Sequence, residues 1–138
     1  MPVKKYVAVI LAFCCALSLV GCADTTIYGA ELFEENHIER IVVTSLPEGY
    51  HYSFDGAETG VVSEYLAGLT LTSDFSENPN EYCGMTWVIS VGYENGDTTT
   101  IYHFGNMFIR ADDGPWYRMT YDEAKRLSEL LYDTEAAE

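Results

Sequence analysis

An α+β domain, one antiparallel sheet with helices packed on one face, is what this sequence predicts, and three observations carry the prediction. Between residues 86 and 120, apolar and polar residues alternate across turn-forming dipeptides. Two segments, around 61–69 and 124–131, repeat their apolar residues at helical spacing. The order along the chain is hairpin, helix, short strand, four-stranded meander, helix. With 138 residues, 48% of them apolar and 14% aromatic, the chain suits one packed domain and is too hydrophobic to remain disordered.

The elements follow in order. Ile38-Glu-Arg-Ile-Val-Val-Thr-Ser45 and Tyr50-His-Tyr-Ser-Phe54 are rich in β-branched and aromatic residues. Between them Leu46-Pro-Glu-Gly49 supplies a proline that presets φ and a glycine for the permissive turn position, so a first hairpin is expected. Val61, Val62, Tyr65, Leu66 and Leu69 then predict a short helix, with Asp55 or Thr59 as its N-cap and Gly68 near its end. A strand at 69–73 leads into the longest loop, residues 74–84. There Asp74-x-Ser76-x-Asn78-x-Asn80 superficially matches a calcium loop, but Pro79 stands where glycine is needed and Met85 where the bidentate glutamate belongs, so the match fails.

In the meander, Asn95-Gly96 is a two-residue hairpin signal. As a type I′ turn it sets Tyr93 opposite Thr98, Val91 opposite Thr100, Ile89 opposite Tyr102 and Trp87 opposite Phe104, with the large residues on one face. The other face then holds Val88, Ser90, Gly92, Thr99, Ile101 and His103. A second tight turn at Gly105-Asn106 sets Phe104 against Met107 and Tyr102 against Ile109. A five-residue loop, Ala111-Asp-Asp-Gly-Pro115, returns into Trp116-Tyr-Arg-Met-Thr120 and places Tyr117 opposite Ile109. Thr120-Tyr-Asp-Glu123 is a capping box opening a helix whose buried stripe is Ala124, Leu127, Leu130 and Leu131. The arrangement is similar to that of small exported domains of the PepSY-like and β-lactamase-inhibitor-like kind, a likeness that no motif carries.

The N-terminus reads as an address. Lys4-Lys5 precedes fifteen mostly apolar residues, Tyr6 to Val20, too short a run to span a bilayer. The run stops at Leu19-Val20-Gly21-Cys22, which resembles the lipobox of bacterial lipoproteins. That resemblance implies cleavage before Cys22, its diacylation, and anchoring at the extracytoplasmic face of the cell membrane, two acyl chains being enough for stable attachment. The expected organisation is a signal peptide at 1–21, a lipidated tether at 22–37 about 20 Å across if flexible, one domain at 38–134 and a disordered tail at 135–138. Cys14 and Cys15 leave with the signal, so Cys83 is the only thiol of the mature domain. With no Lys, Arg or His within ten residues, it reads as a small buried hydrophobe.

Seven Lys and Arg against 22 Asp and Glu give a formal charge of −15, and removal of Lys4 and Lys5 takes it to −17. Phosphate backbones are bound through cationic side chains, so nucleic acid is excluded as a partner. There is no Gly-x-Ser-x-Gly, His-Glu-x-x-His, phosphate-binding glycine loop or Cys-x-x-Cys. No catalytic residue, cofactor or metal is therefore expected. Glu34, Glu35, His37 and Glu39 have the spacing of a solvated acidic stretch rather than of a closed metal site. The remaining signal is a cluster on the polar sheet face: His103, Phe108, Arg110, Trp116 and Arg118. Arg and aromatic residues together on an uncovered sheet have the composition of a protein or peptide recognition patch. The alternative is a structural accessory subunit of a cell-envelope assembly.

Overall fold

Eight strands, each antiparallel to its neighbours, build one sheet in the order β1-β4-β8-β7-β6-β5-β2-β3. The computed structural model describes residues 26–132; Cys22, the signal segment and the tail at 135–138 lie outside the described residues. The strands are β1 (Thr26–Tyr28), β2 (Ile38–Leu46), β3 (His51–Asp55), β4 (Thr70–Thr72), β5 (Thr86–Tyr93), β6 (Thr98–Phe104), β7 (Phe108–Ala111) and β8 (Tyr117–Arg118). Helix α1 (Ala57–Ala67) joins β3 to β4, and α2 (Tyr121–Tyr132) follows β8. The predicted α+β class, with one antiparallel sheet and two helices on its apolar face, is the architecture observed.

One face of the sheet makes the core. Ile41 and Val43 of β2, Trp87, Ile89 and Val91 of β5, Ile101 of β6, Ile109 of β7 and Leu71 of β4 pack against Val62 and Leu66 of α1 and Leu127 and Leu131 of α2. Each such side chain, fully buried, contributes roughly 1.5–3 kcal/mol. The capping box opens α2 as expected: the Glu123 N–H donates to Thr120 Oγ1 at 3.2 Å, and the Thr120 N–H donates to Glu123 Oε2 at 3.2 Å. The other carboxylate oxygen of Glu123 accepts the Thr70 N–H at 2.9 Å. One side chain thus caps α2 and ties it to β4. At the start of α1 the N-cap is Gly56, at φ +61°, rather than Asp55 or Thr59. Asp55 is taken by Arg40 at 3.0 Å, and the Thr59 hydroxyl donates to the Gly56 carbonyl at 2.6 Å.

Three expectations are corrected. The stretch read as a tether is part of the domain: β1 pairs with β4, the Gly29 N–H donates to the Leu69 carbonyl at 2.8 Å, and Phe33 joins the core. A three-residue strand is too short to show alternation, which is why the sequence pattern missed it. Residues from Thr26 onward therefore belong to the folded unit, ahead of residue 38.

The second correction is register. Tyr93 and Asp97 close the first meander hairpin, the Tyr93 N–H donating to the Asp97 carbonyl at 2.9 Å, around a three-residue loop. Gly96 alone takes the left-handed conformation there, at φ +90°. Asn95 instead uses its side chain, accepting the Asp97 N–H at 2.9 Å. That is the three-residue hairpin with a glycine bulge rather than a type I′ turn. Ile89 consequently faces Ile101, and Trp87 faces His103. The second turn is also three residues long, so Tyr102 faces Arg110 and His103 faces Ile109. Each change shifts pairing by one residue, and the two together return β7 to its expected faces. The β7–β8 register, Ile109 opposite Tyr117, is as expected.

The third correction is the loop at 73–85, which has to carry the chain from β4 past β8, β7 and β6 to reach β5. It straps the end of the open sheet face, Phe75 and Tyr82 each lying 5.4 Å from Phe108 between ring centroids. Cys83 sits in this strap and is exposed, not buried.

Gly29 tests whether the segment before residue 38 is built in. A Cβ there would lie 1.7 Å from the Leu66 carbonyl oxygen, a backbone atom that cannot swing away. Gly29→Ala should lower stability by about 1–3 kcal/mol or more in chemical denaturation, in the range of overpacked sites. A neutral result would mean that this segment is not docked.

Candidate functional site

The sheet face away from both helices carries the candidate site, and the strand register decides its members. Cross-strand partners share a face, so Tyr102 of β6 and Arg110 of β7 stand side by side, as do Phe104 and Phe108. Arg110 is held between two aromatic rings, its guanidinium carbon 4.7 Å from the Trp116 ring centroid and 5.2 Å from that of Tyr102. Phe104 lies 6.3 Å from Trp116 and closes the cluster. All four side chains are half-buried.

Burial and electrostatics together single out Arg110. Among the described residues Arg40 pairs with Asp55, Arg118 with Glu77 and Lys125 with Glu129, whereas no carboxylate lies within ion-pair distance of Arg110 or of Arg126; Arg126 is exposed on α2, and Arg110 is half-buried on the sheet. Its Nε is buried and has no hydrogen-bond partner. Cation–π attraction to the two rings, about 0.5–2 kcal/mol for each, holds the guanidinium in place without neutralising it. An anionic or carbonyl oxygen of a partner is the group such a guanidinium accommodates.

Of the five residues singled out from sequence, Arg110 and Trp116 come together as expected. Phe108 and Arg118 share their face but lie under the strap: Phe108 is 2% exposed, and Arg118 donates to Glu77 Oε1 at 3.1 Å. His103 is on the opposite face, 2% exposed, because the first three-residue turn rotates β6 by one position. Its Nδ1 donates to the Phe108 carbonyl at 3.1 Å, which leaves Nε2 as the unprotonated nitrogen. Burial holds its pKa below the ordinary value of 6.5, the bond to Phe108 opposing in part. Tyr102 and Phe104 are the members that sequence reasoning missed. An odd-length turn would have placed Ile101 and Ile109 together in the core and Tyr102 outside with its hydroxyl, and that comparison was the available signal.

A larger concavity lies elsewhere, a groove of about 900 Å³ between α1 and α2 with Val61, Tyr65, Leu69 and Leu130 beneath a rim of Glu64, Asp122, Glu123, Glu129 and Arg126. Three of its six polar side chains, Tyr65, Glu123 and Glu129, are committed to structure; Glu64, Asp122 and Arg126 also line it. The Glu123 carboxylate caps α2 and binds Thr70, and Glu129 pairs with Lys125. Burial first, then the Glu123 charge, pushes the Tyr65 hydroxyl above its ordinary pKa, so it remains protonated and donates to the Glu123 carbonyl at 2.8 Å. Among the described residues no group of three or more His, Cys, Asp or Glu is placed to hold a metal ion; His37 lies beside Glu94 at 3.4 Å. No family model, curated protein or solved structure matches this chain, so the reading of function rests on the site's own chemistry.

His103 gives stability a pH dependence of known sign. Folding requires the neutral ring, and the unfolded chain binds the proton more readily, so its contribution is complete above about pH 6.5 and is lost as pH falls below that value. Denaturation midpoints measured from about pH 7.5 to 5.5 should decline in the wild type and decline less in His103→Leu. Parallel slopes would assign the dependence to other groups.

Proposed function

We propose that this chain is a lipoprotein, held at the extracytoplasmic face of the cell membrane by acyl chains on Cys22, that binds a protein or peptide partner without catalysing a reaction. The binding surface is the open sheet face centred on Arg110, with Trp116, Tyr102 and Phe104 around it. The observation that carries this reading is the unneutralised Arg110. A guanidinium clamped between two rings and, among the described residues, without a carboxylate partner is positioned for a group from outside the molecule. Arg, Trp and Tyr are the residues that dominate binding energy at interfaces. The surrounding negative charge disfavours nucleic acid and selects against strongly acidic partners.

A structural accessory subunit of an envelope assembly is the second reading. What favours it is the strap, which covers Phe108 and pairs Glu77 with Arg118, so that part of the same face is occupied by the chain itself. Capture of partners from detergent-solubilised membranes, with Cys22 intact, separates the two. Arg110→Ala and Trp116→Ala should each weaken capture by about 1–2 kcal/mol, roughly 5- to 30-fold, with a smaller effect on stability. If both variants melt earlier while their folded fraction captures as well as wild type, the cluster is structural and the accessory reading stands.

A further inference from the structure

We infer that the β1 edge of the sheet is the membrane-facing side of the domain, with the exposed ring of Tyr28 at the lipid headgroup level. The inference rests on anchoring at Cys22 and adds to it an orientation. Thr26 is already hydrogen-bonded into the sheet, paired with Thr72 of β4. Four residue steps separate it from Cys22, and whatever their conformation they reach no farther than about 14 Å. The tether of some fifteen residues expected from composition would have let the domain tumble freely; this leash does not.

A side-chain observation coincides with that attachment point. β1 is the outermost strand, and Tyr28 on it is 60% exposed, one of the two most exposed large apolar side chains among the described residues. Tyr28 is paired with Thr70, whose N–H is bound by Glu123 in the first turn of α2, which brings Asp122 close to the same edge. Tyrosine places an apolar ring against acyl chains and a hydroxyl in water, which suits it to the interface. The opposite edge, the β2–β3 hairpin, is seven strand spacings away, about 33 Å, well beyond the leash.

The test uses the lipidated full chain carrying Cys83→Ser, with a fluorophore attached at Ala30→Cys or Asp122→Cys near the β1 edge, or at His51→Cys on the far edge. Vesicles of phosphatidylcholine containing a headgroup-spin-labelled lipid supply the quencher. Quenching at positions 30 and 122 should exceed that at 51 several-fold. The difference should shrink with Tyr28→Ser, or when about 20 Gly/Ser residues are inserted after Ala23. Equal quenching at all three positions, or more at 51, overturns the orientation while leaving the anchor intact. Failure of a fatty-acid label to enter the wild type, or equal membrane binding by Cys22→Ala, overturns the anchor reading itself and the orientation with it.

Discussion

The register of β6 between two three-residue turns is the constraint on which the remaining structure depends. Side chains alternate along a strand, so a one-residue shift exchanges its faces completely. With Tyr93 closed against Asp97, Ile101 and His103 enter the core and Tyr102 and Phe104 leave it. The second turn makes the compensating shift, and β7 re-enters with Ile109 inside and Arg110 outside. Arg110 thereby acquires Tyr102 as a neighbour on one side and keeps Trp116 on the other. Had both turns been two residues long, Arg110 would have stood beside His103 and Ile101 and would have lacked its second ring.

Much of this was legible in the sequence, and the parts that were not have separable causes. The first hairpin, both helices, the Thr120 and Glu123 cap and the β7–β8 register are governed by signals within about ten residues, where local pattern is strong. The first meander turn was misread because a single residue decides between two local solutions. Asn95 serves a type I′ turn by adopting positive φ, or a three-residue loop by accepting the Asp97 N–H through its side chain. The dipeptide alone does not distinguish the two. The segment at 26–33 was missed because its pairing depends on β4, some forty residues later, and because three residues show no period. Cys83 was misplaced because the strap that carries it follows from the crossover between β4 and β5, which is a property of topology rather than of sequence pattern.

Energetically the domain is tied together across its two layers at a few points. Glu123 caps α2, holds β4 through Thr70 and offers its carbonyl to Tyr65 of α1. Tyr52 of β3 donates to the Leu131 carbonyl near the other end of α2. Helices secured in this way leave the opposite sheet face uncovered by either α-helix among the described residues, and the strap covers the Phe108 and Arg118 end of it. The open remainder is where Arg110 lies, the one sheet-face arginine without an ion pair among the described residues. Composition, which is strongly acidic, and geometry, which isolates one cation between aromatic rings, thus point to the same place.

Proton–proton contacts across β5 and β6 measure the register directly. In an antiparallel pair the Hα atoms approach closely at the positions that are not hydrogen-bonded to each other, and the Tyr93–Asp97 bond assigns those positions. The expected nuclear Overhauser contacts are Hα to Hα between Val88 and Tyr102 and between Ser90 and Thr100. Contacts between Ile89 and Tyr102 and between Val91 and Thr100 would contradict the account, since they would return His103 to the open face and take Tyr102 away from Arg110.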